Sequence, residues 1–408
     1  MTGNSKLLRL GAPKRVAKLV RFVLMDAGRG AWPRPIRFAA TVVMFELAVF
    51  VAAYLVYWIA RRPVDRDFGS QYAAASVGLH SGWSQIYDPG ELKRFEQAFG
   101  AQFSIYLHPP PVAWLAVPLT ALPFPLAALL WQGILLVALG ACVVLIAPRG
   151  SAGRVLMILS IAGFQPTLFA LGYATMSPLI LLLLVGAVIA MRSGHQVIAG
   201  ILLGITVLKP QLTLLILPLL LLSGYWKPVV TASAVALALA GLSVAVVGTD
   251  GARAYLSLLT SPGELNHAFP WTVKGLVGAG APSLIATGLV VVALLGIAIT
   301  LRPAPDLALG LGVLASLFVA QHLNYGDFLL WLLPIWLAFE AGRPRWLGAT
   351  AGVTWLCGWF VVGIPQVALA GEIGLAIALV AAIVAARPQR AKAVATTTVS
   401  AQAAPNTS

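Results

Sequence analysis

Acidic side chains are scarce in this chain of 408 residues, which has 13 aspartates and glutamates against 27 lysines and arginines. Cysteine is scarcer still: Cys142 and Cys357 both lie inside apolar runs, so they indicate neither a disulfide framework nor a metal site. The chain has no P-loop, no Gly-x-Gly-x-x-Gly after a strand and no His-Glu-x-x-His motif. The missing phosphate-binding loop argues against an ATP-driven pump. No metal and no cofactor are predicted.

What the chain does have is apolar runs of roughly 20 residues along its whole length, long enough for an α-helix to cross a bilayer. Runs such as 229–247 and 284–301 are continuously apolar, whereas the strands of a membrane β-barrel alternate. The sequence therefore predicts an all-α, polytopic membrane protein.

The net charge of +14 is mostly a signal of membrane topology. The basic residues before the first apolar run are Lys6, Arg9, Lys14, Arg15, Lys18, Arg21, Arg29, Arg34 and Arg37. The positive-inside rule places this segment in the cytoplasm. Anionic lipid headgroups account for such a basic segment, so membrane lipids are the expected partner and nucleic acid is not.

About twelve membrane-spanning helices are predicted, with both termini inside. The first covers residues 38–60, and the others cover about 109–123, 125–147, 154–171, 177–191, 196–222, 228–247, 282–301, 305–320, 327–341, 345–362 and 366–386. The chain then divides into a basic cytoplasmic arm (1–37), a transmembrane domain (38–386) and a polar, disordered tail (387–408). Residues 61–107 form a large first extracytoplasmic loop.

The twelve-span topology places arginines 149, 154 and 192 outside and the uncharged loop 172–178 inside, which the positive-inside rule disfavours. The alternative is that residues 108–146 cross once and that 196–222 is a re-entrant pair broken at Lys209-Pro210. Proline lacks an amide donor and kinks helices, so this break is physically reasonable. Twelve spans is the preferred count.

The first loop contains two segments with helical spacing. Residues 70–82 place Tyr72, Ala75, Ser76 and Leu79 at that spacing. Residues 89–100 start with a proline, carry Leu92, Phe95 and Phe99 on one side, and have Glu91, Lys93, Arg94 and Glu96 elsewhere. Both are predicted to be helices on the membrane surface, although an ordinary structured loop fits the same pattern.

Most of the notable polar residues lie at helix ends, in two loops that are both outside in the twelve-span topology. They are Asp65, Asp67, Tyr87, Asp88, Tyr106 and His108 on one loop, and Gln321, His322, Asn324, Tyr325 and Asp327 on the other. A transporter typically has internal repeats and polar groups near mid-membrane. A transferase that uses a lipid-linked donor needs an acid or base on a surface loop. No convincing repeat is present, which favours a transferase.

Several of these residues belong to motifs that, in their order, resemble one family. The motifs are Asp67-Phe68 with Tyr72, Tyr87-Asp88, YLHPPPVAWLAVPLTALP from Tyr106, AGILLGITVLKPQ from Ala199, and HLNYGDFLLWLLP from His322. They span about residues 40–340. The chain resembles glycosyltransferase family 87, enzymes of the C-type glycosyltransferase (GT-C) superfamily that use polyprenyl-phosphate sugars and include mycobacterial mannosyl- and arabinofuranosyltransferases. It departs from the family at 172–177, which reads GYATMS where Gly-Gln-x-Asn is frequent.

The resemblance implies the GT-C fold and an inverting transfer, in which a carboxylate removes the proton of the acceptor hydroxyl. Asp67 aligns with the loop aspartate of the family and is the predicted base, with Asp65 as the second candidate. The alternative is that either residue pairs with Arg61, Arg62 or Arg66 in a surface salt bridge.

The donor phosphate requires positive charge. Lys209 lies in an apolar run and is the predicted phosphate ligand, because a charge inside a membrane is costly unless it has a role. Snorkelling, or pairing with Glu46, is the alternative. The remaining predicted substrate-binding residues are Tyr72, Tyr87, Asp88, Tyr106, His108, Gln211, His322, Asn324 and Tyr325. For His108 and His322, a structural role at a helix end is equally open.

These features together predict a glycosyltransferase of the plasma membrane of a bacterium. It would move a hexose, such as mannose, or a pentose from a polyprenyl-phosphate sugar to a lipid or glycan acceptor on the outer face. The alternative is a non-catalytic transport protein, such as a flippase for lipid-linked sugars.

Overall fold

A computed structural model describes residues 34–61, 66–100, 104–147, 151–260, 271–278, 280–320, 322–341 and 346–402. All regular secondary structure within these ranges is helical, as the all-α prediction requires. The α-helices are α1 (Arg34–Arg61), α2 (Arg66–His80), α3 (Pro89–Ala98), α4 (Pro110–Ala116), α5 (Phe124–Ile146), α6 (Ser151–Ala162), α7 (Gln165–Gly172), α8 (Ser177–Arg192), α9 (Gln196–Ile205), α10 (Ile216–Leu222), α11 (Trp226–Thr260), α12 (Val273–Val277), α13 (Ala281–Leu301), α14 (Pro305–Val319), α15 (Leu332–Ala341), α16 (Trp346–Cys357) and α17 (Gln366–Gln402).

Four helices in the described ranges are long and apolar enough to cross a membrane: α5, α11, α13 and the part of α17 from Gln366 to Ala385. A fifth span results if α6 and α7, which meet at an angle of 61°, count as one. The predicted count of twelve is not confirmed. The other apolar segments are shorter helices, and they include Thr41–Tyr57, Ser177–Arg192, Gln196–Leu208 and Pro305–Val319.

The segment predicted as a span at 196–222 is broken, as the alternative topology requires. Helix α9 ends at Ile205, and 3₁₀ turns Thr206–Leu208 and Pro210–Leu212 follow on either side of Lys209. Lys209 has φ −138° and ψ 71°, which is not helical. Proline disfavours the α conformation in the residue before it, so the break occurs at this position.

Helix α9 lies directly against α11 because glycines face the contact. A Cβ added to Gly200 would lie 2.7 Å from the carbonyl oxygen of Pro228, and one added to Gly204 would lie 2.8 Å from that of Ala232. Helix α11 itself is interrupted at Gly248, where φ is 72°. A residue with a side chain rarely adopts this φ, so the glycine ends the apolar part of α11 one residue after the span predicted for 228–247.

The two ends of the described chain also differ from the predicted boundaries. Helix α1 begins at Arg34 rather than residue 38. Helix α17 continues to Gln402, where the sequence predicted a disordered tail from residue 387. Alanines and long polar side chains are good helix formers, and they allow the preceding span to continue. The basic arm before residue 34 lies outside the described residues.

Both helices predicted in the first loop are present, but α2 does not lie on a surface. Every residue from 68 to 78 is buried, because α2 packs against α3, α4, α5 and the 3₁₀ turns nearby. Phe68 stacks on Trp131 with ring centroids 5.3 Å apart, and Tyr72 contacts Phe124 at 5.2 Å. The amphipathic interpretation of this segment is therefore corrected: α2 is an internal helix.

Helix α3 buries a carboxylate that the sequence placed on its exposed side. Glu96 is fully buried, and its two carboxylate oxygens accept hydrogen bonds from the backbone N–H of Ser104 at 3.0 and 3.3 Å. Burial raises the pKa of Glu96 to about 7, and the Ser104 hydrogen bond opposes the shift. The carboxyl is thus protonated in mildly acidic solution.

This raised pKa predicts that Glu96 makes stability depend on pH. The contribution of Glu96 is fully present below about pH 4.5, its unfolded pKa, and is lost as the pH rises through 7. Glu96→Gln keeps the shape and removes the titration. The variant should be more stable than wild type at pH 8 by on the order of 1–3 kcal/mol, and nearly equal at pH 5. Thermal unfolding in detergent at both pH values measures the difference.

The control for this comparison is Glu91→Gln on the same helix. Glu91 is partly exposed and pairs with Arg94 at 2.7 Å, so its removal should have little effect on the pH profile. Parallel profiles for wild type and Glu96→Gln would contradict the assignment of the titration to Glu96.

Candidate active site

A buried ion pair lies at the centre of the polar residues that the sequence singled out. The ammonium of Lys209 donates to Oδ1 of Asp327 at 2.5 Å, and the two side chains are 1% and 0% exposed. Each residue is at a point where regular α-helix is interrupted, Lys209 between two 3₁₀ turns and Asp327 in the 3₁₀ helix Tyr325–Trp331. The two interruptions place opposite charges against each other.

Asp327 is held by two further hydrogen bonds. Ser177 donates its hydroxyl to Oδ1 at 2.6 Å, and the backbone N–H of Asn324 donates to Oδ2 at 2.9 Å. The second bond is half of a capping box, in which the Asn324 side chain accepts from the backbone of Asp327 in return. A buried carboxylate with these partners is strongly fixed in position.

The segment that departs from the family pattern, residues 172–177, contacts this carboxylate and the backbone next to it. A Cβ added to Gly326 would lie 2.8 Å from Cα of Ala170 and 3.2 Å from the Thr175 hydroxyl, so the two segments are in close contact. Thr175 also donates its hydroxyl to Ser177 at 3.2 Å. The hydroxyls of 172–177 thus support Asp327.

Asp67 is linked to the ion pair through Asn324. The side-chain amide of Asn324 donates to Oδ2 of Asp67 at 3.4 Å, across 257 residues of sequence. Asp67 is half-buried in the first turn of α2, where the helix dipole favours a negative charge. The two polar loops are therefore in contact, with Asn324 between the half-buried and the fully buried aspartate. Asp65 lies outside the described residues.

Two histidines lie in the loops around the ion pair. Burial lowers the pKa of His108 to about 3, and the charges of Lys209 and His322 act in the same direction while Asp327 opposes them. Burial lowers the pKa of His322 to about 4, with Asp327 opposing and Lys209 reinforcing the shift. Both imidazoles are neutral at neutral pH, so each has one N–H to donate.

The predicted tyrosines have structural partners. The hydroxyl of Tyr72 donates to the Leu122 carbonyl at 2.8 Å, and that of Tyr87 to the His108 carbonyl at 3.0 Å. The buried hydroxyl of Tyr106 donates to the carbonyl of Pro109 and accepts from the N–H of Ala113, both at 2.9 Å. Tyr87 and Tyr106 thus shape the backbone around His108.

The remaining predicted residues are Tyr325, Gln211 and Asp88, and each has a different environment. The ring of half-buried Tyr325 contacts that of Trp271, with centroids 4.0 Å apart. Gln211 is half-buried in the turn after Lys209. Asp88 is exposed and caps α3 by accepting from the N–H of Glu91 at 2.8 Å, which is a structural role.

Sequence reasoning missed the partner of Lys209. The alternative that it pairs with Glu46 is wrong, since Asp327 is the partner and Glu46 is exposed on α1. It also missed Ser177. One signal could have found the partner of Lys209. The chain has few carboxylates in apolar segments, and Asp327 is one of them, so it was a candidate counter-ion for Lys209.

Two cavities are lined in part by the end of α14, just before the second loop. The larger, of about 720 Å³, is almost entirely apolar, lies between α13, α14 and α17, and has Glu372 and Trp346 in its wall. The smaller, of about 310 Å³, is lined by Lys274 and Ser283 and by Ala320, two residues before His322. Phe318 lines both cavities, so they are neighbours.

Comparison with known proteins identifies a family. The model of glycosyltransferase family 87 matches residues 106–323, more than half of the chain. No curated protein and no solved structure matches the chain. The matched region contains His108, Ser177, Lys209 and His322, while Asp67 precedes it and Asp327 follows it. The chain belongs to glycosyltransferase family 87 and is a glycosyltransferase with membrane helices.

Proposed function

We propose that this enzyme transfers a hexose or pentose from a polyprenyl-phosphate sugar to a lipid or glycan acceptor, with Asp67 as the general base. The observation that carries the proposal is the contact between Asp67 and Asn324, which joins the first-loop carboxylate to the loop that carries Asp327 and His322. A half-buried carboxylate beside neutral hydrogen-bond donors is the arrangement that proton abstraction from a hydroxyl needs.

The structure supports Asp67 over Asp327 as the base. Asp327 is neutralised by Lys209 and already accepts two more hydrogen bonds, so its carboxylate is poorly suited to take the proton of an acceptor hydroxyl. Asp67 is half-buried, and its Oδ2 accepts a hydrogen bond from the neutral amide of Asn324. In the proposed step, the acceptor oxygen bonds to the anomeric carbon, its proton passes to Asp67, and the bond from that carbon to the lipid phosphate breaks.

The donor phosphate needs hydrogen-bond donors and positive charge. The neutral imidazoles of His108 and His322 each offer one N–H. The charge of Lys209 is already compensated by Asp327, so any phosphate contact with Lys209 would be shared with that carboxylate. Lys274 adds positive charge at the smaller cavity.

The neighbouring apolar cavity supports a lipid-linked donor. At about 720 Å³, and with almost no polar lining, it suits an isoprenoid chain better than a nucleotide. Phe318 also lines the smaller cavity, which is mainly apolar but contains Lys274 and Ser283 and reaches Ala320, two residues before His322. A polyprenyl phosphate matches an apolar cavity that adjoins a smaller one with a lysine in its wall.

The proposal is tested by incubating the purified protein with a panel of polyprenyl-phosphate sugars and candidate lipid and glycan acceptors. Release of polyprenyl phosphate with formation of glycosylated acceptor is expected for at least one pair.

Asp65 and Asp67 have Asp-x-Asp spacing, so the assay should also be run with a chelator. Activity should persist, because a lipid phosphate leaves without a nucleotide-bound metal. Movement of intact donor across vesicles without transfer would indicate a flippase instead.

The first loop, residues 61–107, is proposed to face the outside of a bacterial plasma membrane. Cysteines introduced at Ser84 and at Gln97, both exposed, should react with a membrane-impermeant thiol reagent in intact cells. The parent chain, whose Cys142 is buried and whose Cys357 is half-buried, is the control. Labelling that requires cell lysis would place the loop inside and exclude this orientation.

A further inference from the structure

The side chain of Gln71 is unusual among the buried polar groups. It is 0% exposed, and neither its amide nitrogen nor its amide oxygen has a hydrogen-bond partner within the described parts of the chain. Burying an amide without such partners is costly, so a protein does not retain one without reason. By contrast, the buried amide of Gln132 donates to the carbonyl of Leu171 at 3.2 Å.

The position of Gln71 links it to the candidate base. It follows Asp67 by four residues on α2, so the two side chains lie one turn apart on the same helix face. Asp67 contacts Asn324 from this face. The adjacent face carries Phe68 and Tyr72, which pack into the aromatic cluster of α5. Gln71 therefore lies within one helical turn of the candidate base.

We propose that Gln71 is a substrate-binding residue whose amide pairs with two hydroxyls of a sugar bound beside Asp67. This inference rests on the proposed function. A carboxamide has two donor hydrogens and one acceptor oxygen, and adjacent hydroxyls can satisfy both kinds of group at once. A phosphate would offer acceptors only and would leave the amide oxygen unpaired. The chemistry of the amide thus favours a polyol over an anion.

The hydroxyls come from the transferred sugar or from a glycan acceptor, and kinetics separates the two. Loss of affinity for the donor, also visible in its slow hydrolysis without acceptor, assigns Gln71 to the transferred sugar. An increase in acceptor KM alone assigns it to the acceptor. In both cases the hydrogen bonds orient the substrate, while the proton passes to Asp67.

The test is Gln71→Leu, which has similar size and no polar atoms. Because the unpaired amide is removed, the thermal midpoint should stay level or rise, while kcat/KM for transfer should fall about 10- to 100-fold. The matched control is Gln132→Leu. It removes one of the hydrogen bonds that the Leu171 carbonyl accepts and leaves that from the N–H of Ala174 at 3.2 Å, so the thermal midpoint should fall by a small amount while kcat/KM of the folded fraction stays unchanged.

Unchanged kcat/KM in Gln71→Leu overturns the inference, whatever happens to the midpoint. If the leucine variant does not fold, Gln71→Met replaces it, and failure of both would show that the amide is structural. A wild-type protein that transfers no sugar refutes the proposed function first. Heat protection by a polyprenyl-phosphate sugar and, separately, by a glycan acceptor then still tests Gln71. Protection of wild type and not of Gln71→Leu by either ligand supports the inference, and equal protection by both ligands refutes it.

Discussion

Lys209→Met is expected to destabilise the folded protein by about 3–5 kcal/mol, because it leaves the carboxylate of Asp327 buried without a counter-charge. Ser177 and the Asn324 backbone would still donate to that carboxylate, but neither carries charge. The loss should be visible as a lower thermal midpoint in detergent and as reduced accumulation in the membrane. A loss of this size is a large part of the total stability of an ordinary domain.

Two further variants isolate the cause. In the double variant Lys209→Met with Asp327→Asn, the asparagine keeps both partner groups of the capping box without a charge, so most of the lost stability should return. Lys227→Met makes the same change at an exposed lysine and should cost under about 1 kcal/mol. Wild-type stability of the single Lys209→Met variant would show that Asp327 does not carry a charge that needs compensation.

Asp67→Asn is expected to reduce sugar transfer by about 100- to 10,000-fold, the usual consequence of losing a general base. An asparagine can still accept the hydrogen bond that Asn324 donates, so the contact between the two loops is preserved. Expression, thermal midpoint and donor binding should therefore remain close to wild type. The measurement is kcat/KM for transfer, together with binding of a polyprenyl-phosphate sugar to the same preparation.

Asp65→Asn is the matched control for the base. It removes the same charge two residues away, and it should have a much smaller effect if Asp65 only pairs with neighbouring arginines. Equal and mild losses in both variants would remove these aspartates from the mechanism. A full loss in Asp65→Asn, with Asp67→Asn active, would keep the mechanism and move the base to Asp65.

The helical class follows from the apolar runs, but the number of spans does not. An apolar run gives the length of a segment and not the path of its backbone. Residues 196–222 are apolar enough for one span, yet Pro210 divides them, and Gly248 divides α11 in the same way. Whether such a residue kinks a helix or ends it depends on what packs around it, which one sequence does not specify.

The site was predictable by residue type but not by pairing. The scarcity of charge drew attention to Lys209 and to Asp67; Lys209 is part of the buried ion pair, and Asp67 is linked to it through Asn324. The partner of Lys209 is 118 residues away, and the Asn324 contact of Asp67 crosses 257 residues. Sequence periodicity reports only neighbours within a few turns. The burial of α2 escaped prediction for the same reason, because distant helices cover it.

The buried ion pair has a consequence for how the protein is made. Lys209 emerges from the ribosome 118 residues before Asp327. At about 5–20 residues per second, the interval is roughly 6–24 s. During that time the ammonium of Lys209 lies in an apolar segment, and its counter-ion Asp327 has not yet been synthesised. The nascent chain must keep Lys209 at the aqueous boundary, or shielded by the insertion machinery, until the second loop arrives.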